Sequence, residues 1–470
     1  MVFNSFNFLV FYPLLFLLYY VIPQRWHKVR NLFLLSLSYI LYMNWKPFYA
    51  LILLYVTIVT FVGARRFSKS NKKAKLLLTI LVLLSAGPLI FFKYYNFLTL
   101  SISDFLHFVG LGFDLPGLNL AVPIGISFFT FQALGYLWDV YYKRIQPENR
   151  FLDYALFVSF FPSIVAGPIN KASLILPQIK SLRQHFDYDK VVGGMKMFLW
   201  GVFMKVVVAD RLCLYVDSVL NDYINHTAVT CLFACLLYSI QIYADFAGYS
   251  LMAIGVGKTL GFDLTENFRR PYFAFSVTDF WRRWHISLST WLKDYVYIPM
   301  GGNRCSKVRN YWNIIFTFFV SGIWHGANWT FIVWGVLHGI FQVIEKALGE
   351  QRCNYGIVGK TIKIFVTFFL VSFAWIFFRM PTLDDAINII CKILQINSSN
   401  LFVDVQTLGY SALGVFLLLF KDIKDEWFSD KIKLMNNKSC VLRWLVYLSL
   451  TSLIILTGVF GSDQFIYANF

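Results

Sequence analysis

The sequence predicts an all-α polytopic membrane protein, a single integral unit over residues 1–470, and three observations carry that expectation. First, 58% of the 470 residues are hydrophobic and only 14% are charged, against roughly 25% charged in a soluble domain. A soluble fold has too little interior to hide so much apolar surface. Second, apolar runs approaching the ~20 residues that a helix needs to cross a bilayer recur along the whole chain. Third, Lys and Arg gather in the loops between those runs, the bias expected of cytoplasmic loops. The net charge of +17 therefore reads as topology, and no nucleic-acid partner is expected.

Taken in order, the spans are expected near 6–22, 32–43, 47–63, 76–92, 120–141, 196–216, 229–250, 311–324, 329–345, 362–379, 407–420 and 441–460, about twelve crossings. The first run lacks a basic leader and a small-residue cleavage site, so it should persist as a helix and not be removed as a signal peptide. The basic loops Arg25 to Arg30 and Arg65 to Lys75 should share the cytoplasmic side. The stretch between them, interrupted at Asn44-Trp45-Lys46-Pro47, must then fold back as a hairpin, which leaves the N-terminus outside. The apolar block 154–169 contains Pro162, Gly167 and Pro168, as expected of a broken or re-entrant segment enclosed by protein. Later basic loops at Lys143-Arg144, Arg304 to Arg309, Lys346 to Lys363 and Lys421 to Lys438 fit the cytoplasmic side, so the last span should export the tail 461–470. The seven cysteines show no C-x-x-C spacing and read as small buried residues or free thiols. No metal site is expected, since no ligands recur at regular spacing, and neither a Walker loop nor a Ser-in-Gly elbow occurs.

Chemistry concentrates between Tyr243 and Thr330. Asp245, in an apolar run, fits two roles: positioning a histidine or a substrate hydroxyl, or hydrogen bonding between neighbouring helices. Ser276 with Asp279 reads as a capping pair opening a helix. In the run Phe280-Trp281-Arg282-Arg283-Trp284-His285-Ile286-Ser287-Leu288-Ser289, residues Arg282, His285 and Ser289 are spaced to share one helical face. Such a face suits a phosphorylated or anionic acyl donor, and equally an interfacial helix with its arginines on lipid headgroups. His325, in Gly322-Ile323-Trp324-His325-Gly326-Ala327-Asn328-Trp329, has apolar and aromatic surroundings that should keep its imidazole neutral and able to accept a proton. The other reading is a core histidine bonded to a helix carbonyl. Gly322 and Gly326 are expected to leave room beside the ring, and His338 reads as a supporting residue.

At these residues the chain resembles the membrane-bound O-acyltransferase family, in its bacterial branch of alginate and peptidoglycan O-acetyltransferase membrane subunits and the teichoic-acid D-alanyl transfer protein. The resemblance runs through Phe160 to Ile169, the stretch Tyr243 to Gly302 with Trp284-His285-Ile286-Ser287-Leu288-Ser289, and Gly322-Ile323-Trp324-His325-Gly326. It implies a ring of tilted helices around a central tunnel, with His325 catalytic and His285 lining the path. Phe465-Ile466-Tyr467-Ala468-Asn469-Phe470 resembles the FIYFxF tail of such systems but carries Ala468 at the fourth position; in that tail the tyrosine, here Tyr467, is implicated as a transient acyl acceptor. The resemblance further implies acetyl-CoA as donor substrate, with no bound cofactor. Arg282, Arg283 and Arg304 would attract its phosphates, and Asp245, Trp324 and Asn328 complete the donor and substrate site. Implied partners are membrane lipids, an extracytoplasmic serine-hydrolase-type acetyltransferase, and an exported polysaccharide or peptidoglycan. The implied location is the inner (plasma) membrane, with both termini outside. D-alanyl or lipid O-acyl transfer on the same fold, and a polytopic transporter or channel, are the alternative readings.

Overall fold

The computed structural model describes residues 3, 5–67, 74–181, 186–349, 356–395, 400–428 and 435–461. Among them every regular element is helical and no strand occurs. Six helices are long and apolar enough to cross a bilayer: Pro47–Phe67, Ala74–Phe108, Tyr188–Leu220, Ala228–Thr259, Ile357–Arg379 and Cys440–Thr457. A seventh span arises if the pair Asn7–Val21 and Gln24–Met43, bent by 104°, is counted as one. The expected spans near 120–141, 311–324, 329–345 and 407–420 are helices, Ile126–Tyr141, Lys307–His325, Trp329–Ala347 and Val405–Trp427, but fall outside that set. Ile126–Tyr141 has 16 residues, about 24 Å at 1.5 Å per residue, short of a hydrocarbon core of about 30 Å. The other three dilute their apolar content with charged and amide side chains at their ends. The chain separates into two compact units.

The first unit comprises residues 6–194 with 256–265. Its interior is built around Ile126–Tyr141, most of which is buried, and around the block expected to be broken. That block is two helices, Phe151–Ser159 and Phe161–Ile164, separated at Phe160 (φ −52°, ψ 109°). Pro162 cannot donate a helical hydrogen bond, which favours a fresh start over continuation. The break is tolerated because its backbone finds partners: the Phe161 amide donates to Ser38 Oγ at 3.1 Å. Tyr154 Oη donates to Thr60 Oγ1 at 2.7 Å, and Asn31 Nδ2 to Asp153 at 3.3 Å. Irregular backbone enclosed in this way satisfies the condition for non-helical structure away from water.

The second unit comprises residues 3–5, 195–255 and 266–470 and contains both motif histidines. Gly201 and Gly248 set one of its helix crossings. A Cβ on Gly201 would lie 2.6 Å from the Gly248 carbonyl oxygen, and one on Gly248 would lie 2.8 Å from that of Gly201. The close approach puts Lys205 against Asp245, with Nζ to Oδ1 at 2.6 Å, while Asp210 takes a second Nζ bond at 2.7 Å. All three side chains are buried, and burial of charge is tolerable only with such pairing. The six cysteines among the described residues are free thiols. The tail residue Tyr467 and the loop residues Lys69, Lys72 and Lys73 lie outside the described residues.

Candidate functional site

The local structure around His285 follows from two short helices that cannot merge. Val277–Arg283 opens as expected, with Ser276 Oγ accepting from the Asp279 amide at 2.9 Å. The Glu345 carboxylate accepts from the Thr278 amide and hydroxyl, each at 3.0 Å, and from the Val277 amide. The helix ends at Arg283; Trp284 is extended, and His285 adopts a left-handed conformation (φ 43°, ψ 53°) before Ile286–Leu292 begins. A non-glycine residue in that region costs on the order of 1–3 kcal/mol and persists only where its surroundings fix it. Here the segment 267–269 does so: the Asn267 carbonyl accepts from the Ile286 amide at 2.9 Å, and the Arg269 amide donates to the Arg283 carbonyl at 2.8 Å. The break corrects the expectation that Arg282, His285 and Ser289 share one helical face, since helical spacing does not carry through a left-handed residue.

The break turns the His285 ring into the interior, where it is fully buried. Nδ1 lies 3.0 Å from Asn267 Oδ1, which also accepts from Ser287 Oγ at 2.9 Å and the Ser287 amide at 3.3 Å. Asn267 Nδ2 donates to Ser250 Oγ at 3.0 Å. Phe246 meets the ring edge-on at 4.7 Å between centroids, and Trp324 at 5.7 Å. The residue lies outside the helices long enough to span a bilayer. Burial pushes its imidazole down to about 3, so the ring is neutral at physiological pH.

His325 is reached differently. It is the last residue of the regular helix Lys307–His325, opened by Ser306 Oγ accepting from the Arg309 amide and ended by extended Gly326. Its buried ring is enclosed by Trp324 and Trp334, each 4.8 Å away, and by Phe378 at 5.3 Å. The two imidazole centroids are 6.5 Å apart. Trp324 contacts both rings, so this expected site residue joins the pair physically. At His338, read from the sequence as a supporting residue, Trp281 Nε1 donates to Nδ1 at 3.2 Å and the ring packs on Trp334 at 5.1 Å.

Other expectations need revision. The room at Gly322 and Gly326 is occupied by the next helix: a Cβ on Gly322 would lie 2.4 Å from the Phe331 carbonyl oxygen, and one on Gly326 would lie 2.1 Å from the Phe331 ring. These glycines admit a helix, not a substrate. Asp245 pairs with Lys205, the interhelical reading of its two. Asn328 caps Trp329–Ala347 by accepting from the Thr330 amide at 3.1 Å, and its Nδ2 donates to the Pro381 carbonyl at 2.7 Å. Arg283 is committed to Glu426 at 2.8 Å and Asp279 at 3.0 Å. Burial opposes ionisation of Glu426, but Arg283 and Arg270 outweigh it and hold that carboxyl below its usual range. Arg282 and Arg304 are exposed and remain open to an anion. Asn267 carries no sequence signal as a site residue, because its partner lies 18 residues on and no spacing rule links them.

What the unit assembles is a pair of buried imidazoles walled by aromatic rings. The model of the membrane-bound O-acyltransferase family matches residues 143–380, which hold both histidines. The chain is 40% identical over 393 residues to the "probable alginate O-acetylase" of Pseudomonas syringae pv. tomato, covering 82% of this chain and 74% of that one. It is 35% identical over 422 residues to the peptidoglycan O-acetyltransferase of Helicobacter pylori (83% and 79%), and 26% identical over 279 residues to the teichoic acid D-alanyltransferase of Bacillus subtilis (56% and 70%). With half the chain inside the family model and such identity across most of its length, the chain belongs to the membrane-bound O-acyltransferase family.

Proposed function

We propose that this enzyme is an O-acetyltransferase that takes acetyl from acetyl-CoA on the cytoplasmic side and passes it across the inner membrane for O-acetylation of an exported polysaccharide or peptidoglycan. The observation that carries the reading is His325: a buried imidazole, caged by Trp324, Trp334 and Phe378 and facing a second histidine at 6.5 Å. In the reaction a hydroxyl oxygen attacks the thioester carbonyl while His325 takes its proton. The carbon–sulfur bond breaks, the proton passes to the leaving thiolate, and an oxygen ester remains. A hydroxyl ionises far above neutrality, so an adjacent base is required. Arg282 and Arg304, both exposed, would draw the donor's phosphates.

Tyr467 is the proposed first acceptor, exported with both termini on the outer side of a fold of about twelve crossings around a central tunnel. A serine-hydrolase-type partner then moves the acetyl to the polymer. The division has a physical reason, because an acetyl group passes a narrow path that a polymer cannot. Greater identity and coverage toward O-acetylating relatives than toward D-alanyltransferases supports acetyl as the group moved.

The test uses the full-length protein in liposomes with acetyl-labelled CoA. His325→Ala should lower thioester consumption by at least about 100-fold while inserting normally, and Tyr467→Phe should abolish label on the tail. Wild-type rates in His325→Ala would remove the assigned base; an inert wild type would remove the donor.

A further inference from the structure

We propose that Glu426 is a positioning residue for this reaction: from the last turn of the helix Val405–Trp427 it staples together the two segments that hold His285. This rests on the function argued above and assigns a role to a residue beyond 380, where the family match ends.

Segments 267–270 and 283–286 are joined by two backbone bonds, from the Arg269 amide to the Arg283 carbonyl at 2.8 Å and from the Ile286 amide to the Asn267 carbonyl at 2.9 Å. Each segment carries a residue in the left-handed region, Arg270 (φ 45°) and His285 (φ 43°). Non-glycine residues persist in that region only where their surroundings hold them. Glu426 gives each segment one oxygen: Oε2 accepts from Arg270 Nε at 2.5 Å, and Oε1 from Arg283 Nη1 at 2.8 Å. Arg283 is two residues ahead of His285, so the staple closes beside the position that aims the imidazole.

The helix seats there by more than one contact. Asp422, one turn before Glu426 and on the same face, is buried and accepts from Tyr243 Oη at 2.9 Å. The Tyr243 ring in turn meets Trp284, the neighbour of His285, at 6.3 Å between centroids. Trp427 packs edge-on against Phe273 at 5.1 Å. Charge explains why the staple is a carboxylate. Arg270 and Arg283 are half-buried, and Asp279 pairs with Arg283 at 3.0 Å. Removing the charge of Glu426 would leave two shielded guanidiniums facing each other, a repulsion that drives the two segments apart. A glutamine offers one acceptor where the carboxylate offers two, and its amide nitrogen would face a guanidinium donor. Asp425, the adjacent carboxylate, pairs within its own helix, with Lys421 at 2.6 Å and Lys424 at 2.5 Å.

The experiment measures thioester consumption by Glu426→Gln, Glu426→Asp, Asp425→Asn, His285→Ala and the double variant Glu426→Gln/His285→Ala, in the full-length protein in nanodiscs. It also records nitrogen-15 spectra of histidine-labelled protein, with His285 assigned by its loss in His285→Ala. Glu426→Gln should lower kcat about 10–100-fold, the scale on which a small displacement of a site group is felt, and should shift the His285 signal. Glu426→Asp keeps both acceptors and should recover most of the lost kcat. Asp425→Asn should stay within about twofold of wild type, since it removes a charge from the same turn but no contact to the segments. The double variant should be no slower than His285→Ala alone, because Glu426 acts through that ring. Wild-type kcat or an unshifted His285 signal in Glu426→Gln overturns the proposal, as does an Asp425→Asn variant equally slow. Should Glu426→Gln not fold, Arg270→Asn breaks the other arm with a residue that tolerates the left-handed backbone, and the same two readings decide. An inert wild type refutes the acetyltransfer reading, while the His285 signal in Glu426→Gln still decides whether the staple holds that ring.

Discussion

The two histidines, buried alike, are held by opposite means. His285 occupies a left-handed break between two seven-residue helices and is aimed by its hydrogen bond with Asn267, whose amide is in turn held by Ser287 and Ser250. His325 ends a regular 19-residue helix and is aimed by the rings of Trp324, Trp334 and Phe378. The first arrangement tolerates small changes of packing but not the loss of an acceptor; the second tolerates the reverse. A site that moves a proton away from water benefits from both, since a ring fixed by hydrogen bonds and a ring fixed by packing keep their places by independent means.

The largest expected effect tests what stands behind His285. Phe246 and Ser250, which touch the His285 system, lie on the helix whose opposite side carries Asp245 on Lys205. Lys205→Met would leave the buried Asp245 and Asp210 carboxylates without the cation between them. Removing one partner of a buried pair costs about 3–5 kcal/mol, so the midpoint of thermal unfolding followed by tryptophan fluorescence should fall strongly. Asp245→Asn should cost clearly less, because Lys205 keeps Asp210. If Lys205→Met melts with wild type, that helix is not anchored by charge and the contrast between the two sites loses its polar half.

The packed half is probed at Gly322. An alanine there must displace the Phe331 carbonyl, a backbone atom that cannot rotate away from a contact of 2.4 Å. Overpacking of this kind costs about 1–3 kcal/mol and should separate Lys307–His325 from Trp329–Ala347, lowering kcat through a displaced His325. The histidine nitrogen-15 signal of His285 should stay as in wild type, since its bond to Asn267 lies outside both helices. A shifted His285 signal in Gly322→Ala would show that the two devices are not independent.

The sequence made the all-helical membrane character legible through composition, and the enclosed break at 160 through its prolines. It also made both histidines legible, because ionisable groups within apolar runs are costly and therefore few. The geometry between them was not legible. Periodicity placed Arg282, His285 and Ser289 on one face because nothing local announces that His285 is left-handed; the conformation is imposed by hydrogen bonds to residues 267 and 269. In the sequence the glycines flanking His325 suggest open space, whereas a glycine records only that something comes close, and here it is Phe331. The sequence leaves the partner of Asp245 open, since Lys205 lies 40 residues earlier on another helix. In each case the missing information was the identity of a distant neighbour.

The smallest effect separates a structural from a binding role at Asn328, which the motif placed in the donor site and the structure places on a helix end. Its Oδ1 accepts from the Thr330 amide at the start of Trp329–Ala347, and its Nδ2 ties that start to the Pro381 carbonyl. Loss of an N-cap costs about 1 kcal/mol. Asn328→Ala should therefore lower the unfolding midpoint slightly, leave donor KM unchanged, and reduce kcat only as far as loosening near Trp334 reaches His325. Asn328→Asp keeps the capping oxygen and gives up only the bond to Pro381, so it should recover most of the lost stability. A several-fold rise in donor KM in both variants, without a change in melting, would instead put Asn328 on the donor and show that the His325 side of the site is also held by hydrogen bonds.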